Sequence, residues 1–213
     1  MDLKRHWETI YETKNAQDVS WFQPEARLSL ELIRCVVTDR GAAILDVGGG
    51  ASTLVDGLLQ AEYRAVTVLD LSNAALTQAR DRLGPAAGQV AWQEADILEA
   101  PLSRAAFDVW HDRAVFHFLT DAASRRRYVE QVRHALRPGG YVLVATFAHD
   151  GPTRCSGLEV ARYTPDALHG EFGDAFCLLS STREEHTTPS GARQAFVYCL
   201  CRYQASAIVR PAA

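Results

Sequence analysis

The chain has 213 residues, with 22 Lys and Arg against 26 Asp and Glu, and its formal net charge is -4. Hydrophobic residues make up 47% and charged residues 23%, a balance that excludes a disordered chain, a collagen or a coiled coil. Because nucleic acids select basic surfaces, the acidic balance argues against nucleic acid as a dedicated partner.

The amino terminus and the cysteines bear on the cellular compartment. The first 18 residues lack the apolar core of a secretion signal, and no apolar run is long enough to span a membrane. The five cysteines form no Cys-x-x-Cys pair, so a disulfide framework is not expected. We therefore expect a cytoplasmic protein with no membrane partner, whose oligomeric state the sequence leaves open.

Strand and helix patterns alternate along most of the chain. A first helix is predicted at 24–38, with its apolar face formed by Leu28, Leu32, Cys35 and Val36. Strands are then predicted at 42–47, 65–70, 89–96, 107–112 and 141–147. The helices between them are predicted at 53–61, 73–83 and 121–136. Apolar strands that alternate with helices predict an α/β fold with a parallel sheet covered on both faces.

The pattern changes after residue 148. A weaker helix at 164–171 is followed by two strands, 175–185 and 193–203, and the short loop between them predicts antiparallel pairing. We expect one domain over 1–213, in which 42–147 is the cofactor-binding core and 148–213 supplies substrate-side loops and the terminal hairpin.

The first strand runs into a glycine loop, where Asp46 is followed by Gly48, Gly49 and Gly50. A dinucleotide site would require glycine where Thr53 stands, and a P-loop would require a lysine. A carboxylate here would repel a pyrophosphate, whereas it would favour the ammonium and sulfonium of S-adenosylmethionine. The alternative is that Asp46 only braces the glycine turn.

Two more acidic residues end the next two strands. Asp70 can accept both ribose hydroxyl hydrogens, and Asp96 can accept from an adenine amino group. Either alone could cap a helix. Together with Asp46 they predict a cofactor cleft at the carboxyl ends of the strands, where open α/β sheets bind ligands.

The segments ILDVGGGAS, VTVLDLS, EADIL and FDVWHDRAVFHFL, in this order, resemble the successive motifs of the class I (seven-β-strand) S-adenosylmethionine-dependent methyltransferases. The resemblance implies a Rossmann-like, doubly wound sheet of order 3-2-1-4-5-7-6 with strand 7 antiparallel, and S-adenosylmethionine as cofactor with S-adenosylhomocysteine as product. Gly49 departs from the Cys or Thr often found at its place. The cofactor contacts predicted on this basis are Trp21, Asp46, Gly48, Gly49, Gly50, Asp70, Leu71, Asp96, Ile97 and His111.

Methyl transfer requires alignment of the nucleophile, exclusion of water and in some cases removal of a proton. The predicted catalytic residues are His111, Asp112 and His117; alternatively, Asp112 braces the loop after strand four and the histidines are structural. Substrate contacts are predicted for Tyr11, Arg113, His149 and His186. A metal site built from Cys155 and the histidines predicted near the carboxyl end of the sheet is not favoured, because these residues lack the closely spaced pairs typical of zinc ligands.

Residues 1–38 are rich in aromatic side chains, including Trp7, Tyr11, Trp21 and Phe22. The resemblance implies that this segment is a helical lid that closes over the cofactor and shields it from water. The alternative is a helix packed permanently against the sheet.

The sequence thus predicts a methyltransferase acting on a small-molecule substrate, with a thiol or other soft nucleophile preferred over a carboxylate or an amine. Asp112-Arg113-Ala114 is similar to the Asp-Lys-Gly of some protein-lysine methyltransferases, which makes protein-lysine N-methylation an alternative. An alternative of another class is a non-catalytic S-adenosylmethionine-binding regulatory subunit. An NAD-dependent reductase is disfavoured by Thr53 and Asp46.

Overall fold

The computed structural model describes residues 2–204. Within them, six α-helices alternate with strands. The helices are α1 (Leu3–Thr13), α2 (Arg27–Val36), α3 (Leu54–Gln60), α4 (Asn73–Leu83), α5 (Ala122–Ala135) and α6 (Pro165–Phe172). The strands are β1 (Ala43–Val47), β2 (Ala65–Asp70), β3 (Val90–Glu94), β4 (Phe107–Arg113), β5 (Leu136–Phe147), β6 (Arg154–Cys155), β7 (Leu158–Glu159), β8 (Phe176–Thr187) and β9 (Arg193–Tyr203).

Seven of these strands form one sheet of order β3-β2-β1-β4-β5-β9-β8. Strands β1 to β5 are parallel, and β9 runs antiparallel to both of its neighbours. Because β6 and β7 pair only with each other, β8 and β9 are the sixth and seventh strands of the sheet. The predicted order 3-2-1-4-5-7-6 with a reversed seventh strand is therefore confirmed.

The sheet is buried on both faces, which is why its central strands are almost continuously apolar. Alternate residues of each strand serve the two cores. On one face Leu45 and Trp110 pack with α5 and α6, while on the other Ile44 and Val109 pack with α2 and α3.

Local signals in the sequence explain where several helices begin and end. The Ser72 hydroxyl caps α4 by accepting from the Ala75 N–H at 3.1 Å, and the Asp121 carboxylate caps α5. Gly84, with φ +55°, ends α4. Among the described residues, no helix combines the length and the apolar character that a membrane crossing requires.

The apolar face predicted for the helix at 24–38 is confirmed in part. α2 begins at Arg27, and its Leu28, Leu32 and Val36 are partly buried against the core, whereas Cys35 is exposed. The most deeply buried residues of α2 are Ser29 and Ile33, and the Ser29 hydroxyl bonds a buried histidine, so a polar residue occupies a core position.

Candidate active site

The glycine loop after β1 brings the backbone close to the ends of β2 and β4. Gly48 and Gly50 have φ of +65° and +23°, which favour glycine. A Cβ on Gly50 would lie 2.6 Å from the Asp70 carboxylate, and one on Gly48 would lie 2.0 Å from Val115. The loop therefore leaves backbone open to a ligand beside Asp70.

A buried hydrogen-bonded chain joins the end of β1 to α2. The Oδ1 atom of Asp46 lies 2.7 Å from Nδ1 of His111, and Nε2 of His111 lies 2.9 Å from the Ser29 hydroxyl. Because the carboxylate can only accept, Nδ1 carries the hydrogen, and Nε2 bonds the Ser29 hydroxyl. His111 thus orients the Asp46 carboxylate, and Ser29 orients His111.

The second oxygen of Asp46, Oδ2, is buried and has no hydrogen-bond partner among the described residues. A Cβ on Gly49 would lie 2.5 Å from this oxygen, so the missing side chain leaves room for it. An unpaired buried carboxylate oxygen is costly unless a donor or cation reaches it. The ammonium group of S-adenosylmethionine is such a donor, so the site fits the cofactor.

Asp70, at the end of β2, is also buried, and its Oδ1 accepts from the Ser72 N–H at 2.8 Å. Burial, reinforced by the charge of Asp46, raises the pKa of the Asp70 carboxyl to about 7. Two hydroxyl donors from a ribose would favour its ionised form.

The adenine end predicted from the sequence lies in a cavity of about 150 Å³. Leu71, Asp96 and Ile97 line it together with Asp70. Ile97 is buried, whereas Asp96 is exposed and accepts from the Leu98 N–H at 2.9 Å. The cavity can thus hold a flat ring against Leu71 and Ile97, with the Asp96 carboxylate at the exposed edge of the cavity.

A second, smaller cavity of about 40 Å³ lies along the glycine loop and is lined by Asp46 and His111. The side chains that line both cavities are Tyr11, Trp21, Val47, Gly48 and Arg113. The Trp21 indole N–H donates to the Tyr11 hydroxyl at 3.2 Å. Because they share these lining residues, the two cavities are adjacent, one beside Asp46 and the other beside Asp70.

Arg113 is held in place where the two cavities meet. Its Nε donates to the Tyr198 hydroxyl at 2.8 Å, and its other nitrogens reach the Trp21 carbonyl at 3.3 Å and Glu184 at 3.4 Å. The guanidinium lies 4.1 Å from the Phe196 ring centroid. A fixed positive charge therefore borders the site.

Asp112 and His117 line neither cavity. The Asp112 carboxylate accepts from the N–H groups of Val115 and Phe116 and from the Tyr128 hydroxyl, and burial raises its pKa to about 6. Burial lowers the pKa of His117 to about 3, and its Nδ1 accepts from the Phe147 N–H at 3.4 Å. Their geometry is that of internal braces, and the hydrogen bonds of Asp112 to Val115 and Phe116 hold the loop after β4.

The other two predicted substrate residues also lie outside the cavity linings. His149 is exposed, and His186 donates through Nε2 to the Ser20 carbonyl at 2.8 Å, which fastens the amino-terminal segment to β8. Within residues 2–204, no three His, Cys, Asp or Glu side chains gather into a group that could hold a metal ion.

Helix α1 covers the site and is fastened to α4. The Glu8 carboxylate accepts from the Ser72 hydroxyl and from the Ala74 N–H at 3.1 Å. The Gln78 amide donates to the Tyr11 and Lys14 carbonyls at 2.6 and 3.1 Å. This role of Glu8 was not predicted from the sequence, because an acidic residue on a polar helix is ordinarily solvated.

A second missed residue is Arg82 of α4, which holds the far side of the glycine loop. Its guanidinium donates to the carbonyls of Ala51 and Ser52 at 2.9 and 2.6 Å and pairs with Asp56 at 2.8 Å. Ser29 is a third missed residue, although its spacing of one helical turn from the buried Ile33 was a usable signal.

Comparisons with known proteins agree with this geometry. Residues 44–140 match the family model described as a methyltransferase domain. The O-methyltransferase cnsE of Penicillium expansum is 29% identical over 161 residues, which cover 74% of this chain and 55% of cnsE. The chain spans about half the length of the curated relatives it matches.

Solved structures share the fold over nearly the whole chain. A structure from a study of the conversion of a disulfide bond into a thioacetal group during echinomycin biosynthesis has a TM-score of 0.74 at 20% identity, covering 97% of this chain and 94% of the other. The 1,6-didemethyltoxoflavin-N1-methyltransferase of Burkholderia thailandensis, with bound 1,6-didemethyltoxoflavin and S-adenosylhomocysteine, has a TM-score of 0.70 at 20% identity, with coverages of 95% and 88%. At these identities the likeness shows the fold.

The domain match, the strand order and the acidic strand ends lead to one class. Taken together, these findings support a class I S-adenosylmethionine-dependent methyltransferase, with S-adenosylmethionine as its cofactor.

Proposed function

We propose that the protein transfers a methyl group from S-adenosylmethionine to a small-molecule acceptor, with sulfur or another soft nucleophile as the accepting atom. The observation that carries the proposal is the pair of buried carboxylates in two adjacent cavities: Asp46, one oxygen of which has no partner among the described residues, and Asp70, which lies beside Gly50. When bound, the cofactor would supply an electrophilic methyl group.

The residues of the site divide by the part of the cofactor they would hold. Asp46 and the glycine loop would bind the ammonium end, Asp70 the ribose, and Leu71, Asp96 and Ile97 the adenine. Tyr11 and Trp21, which line both cavities, would keep water from the reacting centre.

Two comparisons support a small acceptor. cnsE is named an O-methyltransferase, and the 1,6-didemethyltoxoflavin-N1-methyltransferase was solved with 1,6-didemethyltoxoflavin bound. The echinomycin structure concerns sulfur chemistry, which supports a soft nucleophile. The burial of Asp112 favours this proposal over protein-lysine methylation, because three donors already occupy its carboxylate.

The test uses methyl-labelled S-adenosylmethionine, the purified protein and a cell extract, with Asp70→Asn as the control. We expect label in the small-molecule fraction and its loss with the variant. Label in the macromolecular fraction would instead support protein methylation. Cofactor binding without transfer to either fraction would support a non-catalytic regulatory subunit.

A further inference from the structure

We propose that the acceptor reacts as an anion whose nucleophilic atom lies beside the Arg113 guanidinium, an inference that rests on the methyl-transfer function proposed above. It follows from two observations: among the described residues that line the cleft there is no free base, and there is one cation with unused donors.

The first observation concerns the titratable side chains that line the two cavities. Three of them are the aspartates assigned to the cofactor, and His111 has both ring nitrogens engaged within the protein. Among the described lining residues this leaves Tyr11, Arg113 and Cys155.

Neither Tyr11 nor Cys155 can accept a proton near neutral pH. Burial and the charge of Asp70 raise the pKa of the Tyr11 hydroxyl well above its usual value. Burial raises the pKa of the Cys155 thiol to about 11. Both groups therefore remain protonated, and the third, Arg113, is always a donor.

The charged and titratable groups around Arg113 are also committed elsewhere. Glu184 accepts from Gln23, Tyr198 and Arg113 itself. Burial lowers the pKa of His117 and of His186, and His186 donates to a backbone carbonyl. Burial also raises the pKa of Tyr198, so its hydroxyl stays protonated. Glu184, Tyr198, His117 and His186 line neither cavity.

The second observation is the hydrogen-bond inventory of Arg113. A guanidinium has five N–H donors, and three contacts to described residues use it, namely to Tyr198, Trp21 and Glu184. Two N–H groups are left for a ligand at the junction of the two cavities, where Arg113 lines both.

These facts select the chemistry of the acceptor. An acceptor anion forms the bond to the methyl carbon, the electron pair of the broken carbon–sulfur bond stays on sulfur, and no proton is transferred. An aliphatic alcohol, or an amine in its protonated form, must release a proton before it can react, and none of the described lining residues is a base free to take it. Thiolates, carboxylates and acidic phenols fit; their negative charge pairs with Arg113.

The first test does not depend on turnover. 4-Nitrophenol changes absorbance on ionisation, so its titration can be followed in the complex of the protein with S-adenosylhomocysteine. A tenfold preference for the anion lowers the titration midpoint by about one pH unit. We expect this shift in the wild type and in Arg113→Lys, and its loss in Arg113→Met. Arg183→Met, which removes an exposed arginine paired with Asp150, is the matched control and should keep the shift. An unshifted midpoint in the wild type overturns the proposal.

The second test uses 4-nitrothiophenol, thiophenol and benzyl mercaptan, whose thiol pKa values rise in that order. The pH at which kcat/KM levels off should move with the pKa of the thiol, and Arg113→Met should lower kcat/KM by about a hundredfold or more. One inflection shared by all three thiols would reveal a base on the enzyme and overturn the proposal. Label transfer unaffected by Arg113→Met would refute the anionic acceptor alone. Absence of both cofactor binding and label transfer would refute the methyltransferase function itself.

Discussion

His111 offers a sharp test of how the site is built, because two substitutions separate its two hydrogen bonds. The amide nitrogen of asparagine occupies nearly the place of Nδ1, so His111→Asn can still donate to Asp46. The amide of glutamine lies nearer the place of Nε2, so His111→Gln keeps the link to Ser29 and loses the link to Asp46. If the role of His111 is to orient the carboxylate, the two variants should differ in cofactor affinity.

The size of the effect follows from the geometry. Asp46 is 1% exposed and His111 is 2% exposed, so water cannot replace a lost partner. A hydrogen bond to a buried charged group contributes about 1.5–3 kcal/mol, which corresponds to roughly 10- to 150-fold in a binding constant. We expect His111→Gln to raise the Kd for S-adenosylhomocysteine by about that factor, and His111→Asn by about threefold or less. Ser29→Ala removes a neutral bond and should cost about 2- to 12-fold.

The assay is calorimetric titration with S-adenosylhomocysteine, together with urea unfolding to show that each variant is folded. His134→Gln is the control, because His134 bonds the Leu102 carbonyl at 3.0 Å and lines neither cavity. If the asparagine and glutamine variants at position 111 bind equally well, orientation of Asp46 by Nδ1 does not determine affinity and the reasoning is refuted.

Three further predictions concern the ribose site, α1 and the glycine loop. The pKa of about 7 at Asp70 predicts that the affinity for S-adenosylhomocysteine, measured by calorimetry, falls as pH drops from 8 to 6, because only the ionised carboxylate accepts from both ribose hydroxyls. Asp70→Asn should bind weakly at every pH. This pKa lies above the value of about 3.9 in an unfolded chain, so the stability contributed by the protonated Asp70 carboxyl is lost as pH rises from about 4 to 7. Over this range the unfolding free energy of the wild type should fall more steeply with pH than that of Asp70→Asn. An equal or smaller slope would contradict this. Glu8→Gln should accelerate amide hydrogen exchange in α1 by about tenfold or more, because it weakens the contact with the start of α4. The control is Glu12→Gln, an exposed change on the same helix, which should leave exchange unchanged. Equal exchange rates in the two variants would exclude the fastening of α1 by Glu8. Arg82→Met should lower the unfolding free energy by about 1–3 kcal/mol and weaken cofactor binding, whereas the control Arg80→Met should not. An unchanged Kd for S-adenosylhomocysteine in Arg82→Met would show that the glycine loop holds its shape without the guanidinium.

The fold and the cofactor end of the site were accessible from the sequence because short-range chemistry determines them. Apolar runs that end in Asp or Gly define the strands, and parallel strands bring their carboxyl ends to one edge. Asp46, Asp70 and Asp96 could thus be assigned to one cleft without any knowledge of tertiary contacts. The reversed β9 followed in the same way from the short loop that joins it to β8.

The assignments around β4 were harder, because successive residues of a strand point to opposite faces. His111 is in register with Asp46 on the neighbouring strand and shares its side of the sheet. Asp112, the next residue, faces α5 and bonds Tyr128. Strand alternation alone indicates that only one of the two adjacent residues can reach Asp46. Choosing between them required the register of β1 against β4, which no local pattern specifies.

Gly49 connects the departure from the family pattern with the buried chain behind it. Glycine is not required there by the backbone, since Gly49 is absent from the positive-φ glycines. It is required by space, because a Cβ would lie 2.5 Å from Asp46 Oδ2 and 2.8 Å from Val68. The carboxylate occupies that space because His111 holds its other oxygen, and Ser29 holds His111. A residue that seemed a neutral exception in the sequence therefore belongs, with Ser29 and His111, to a single arrangement that fixes the direction of one carboxylate.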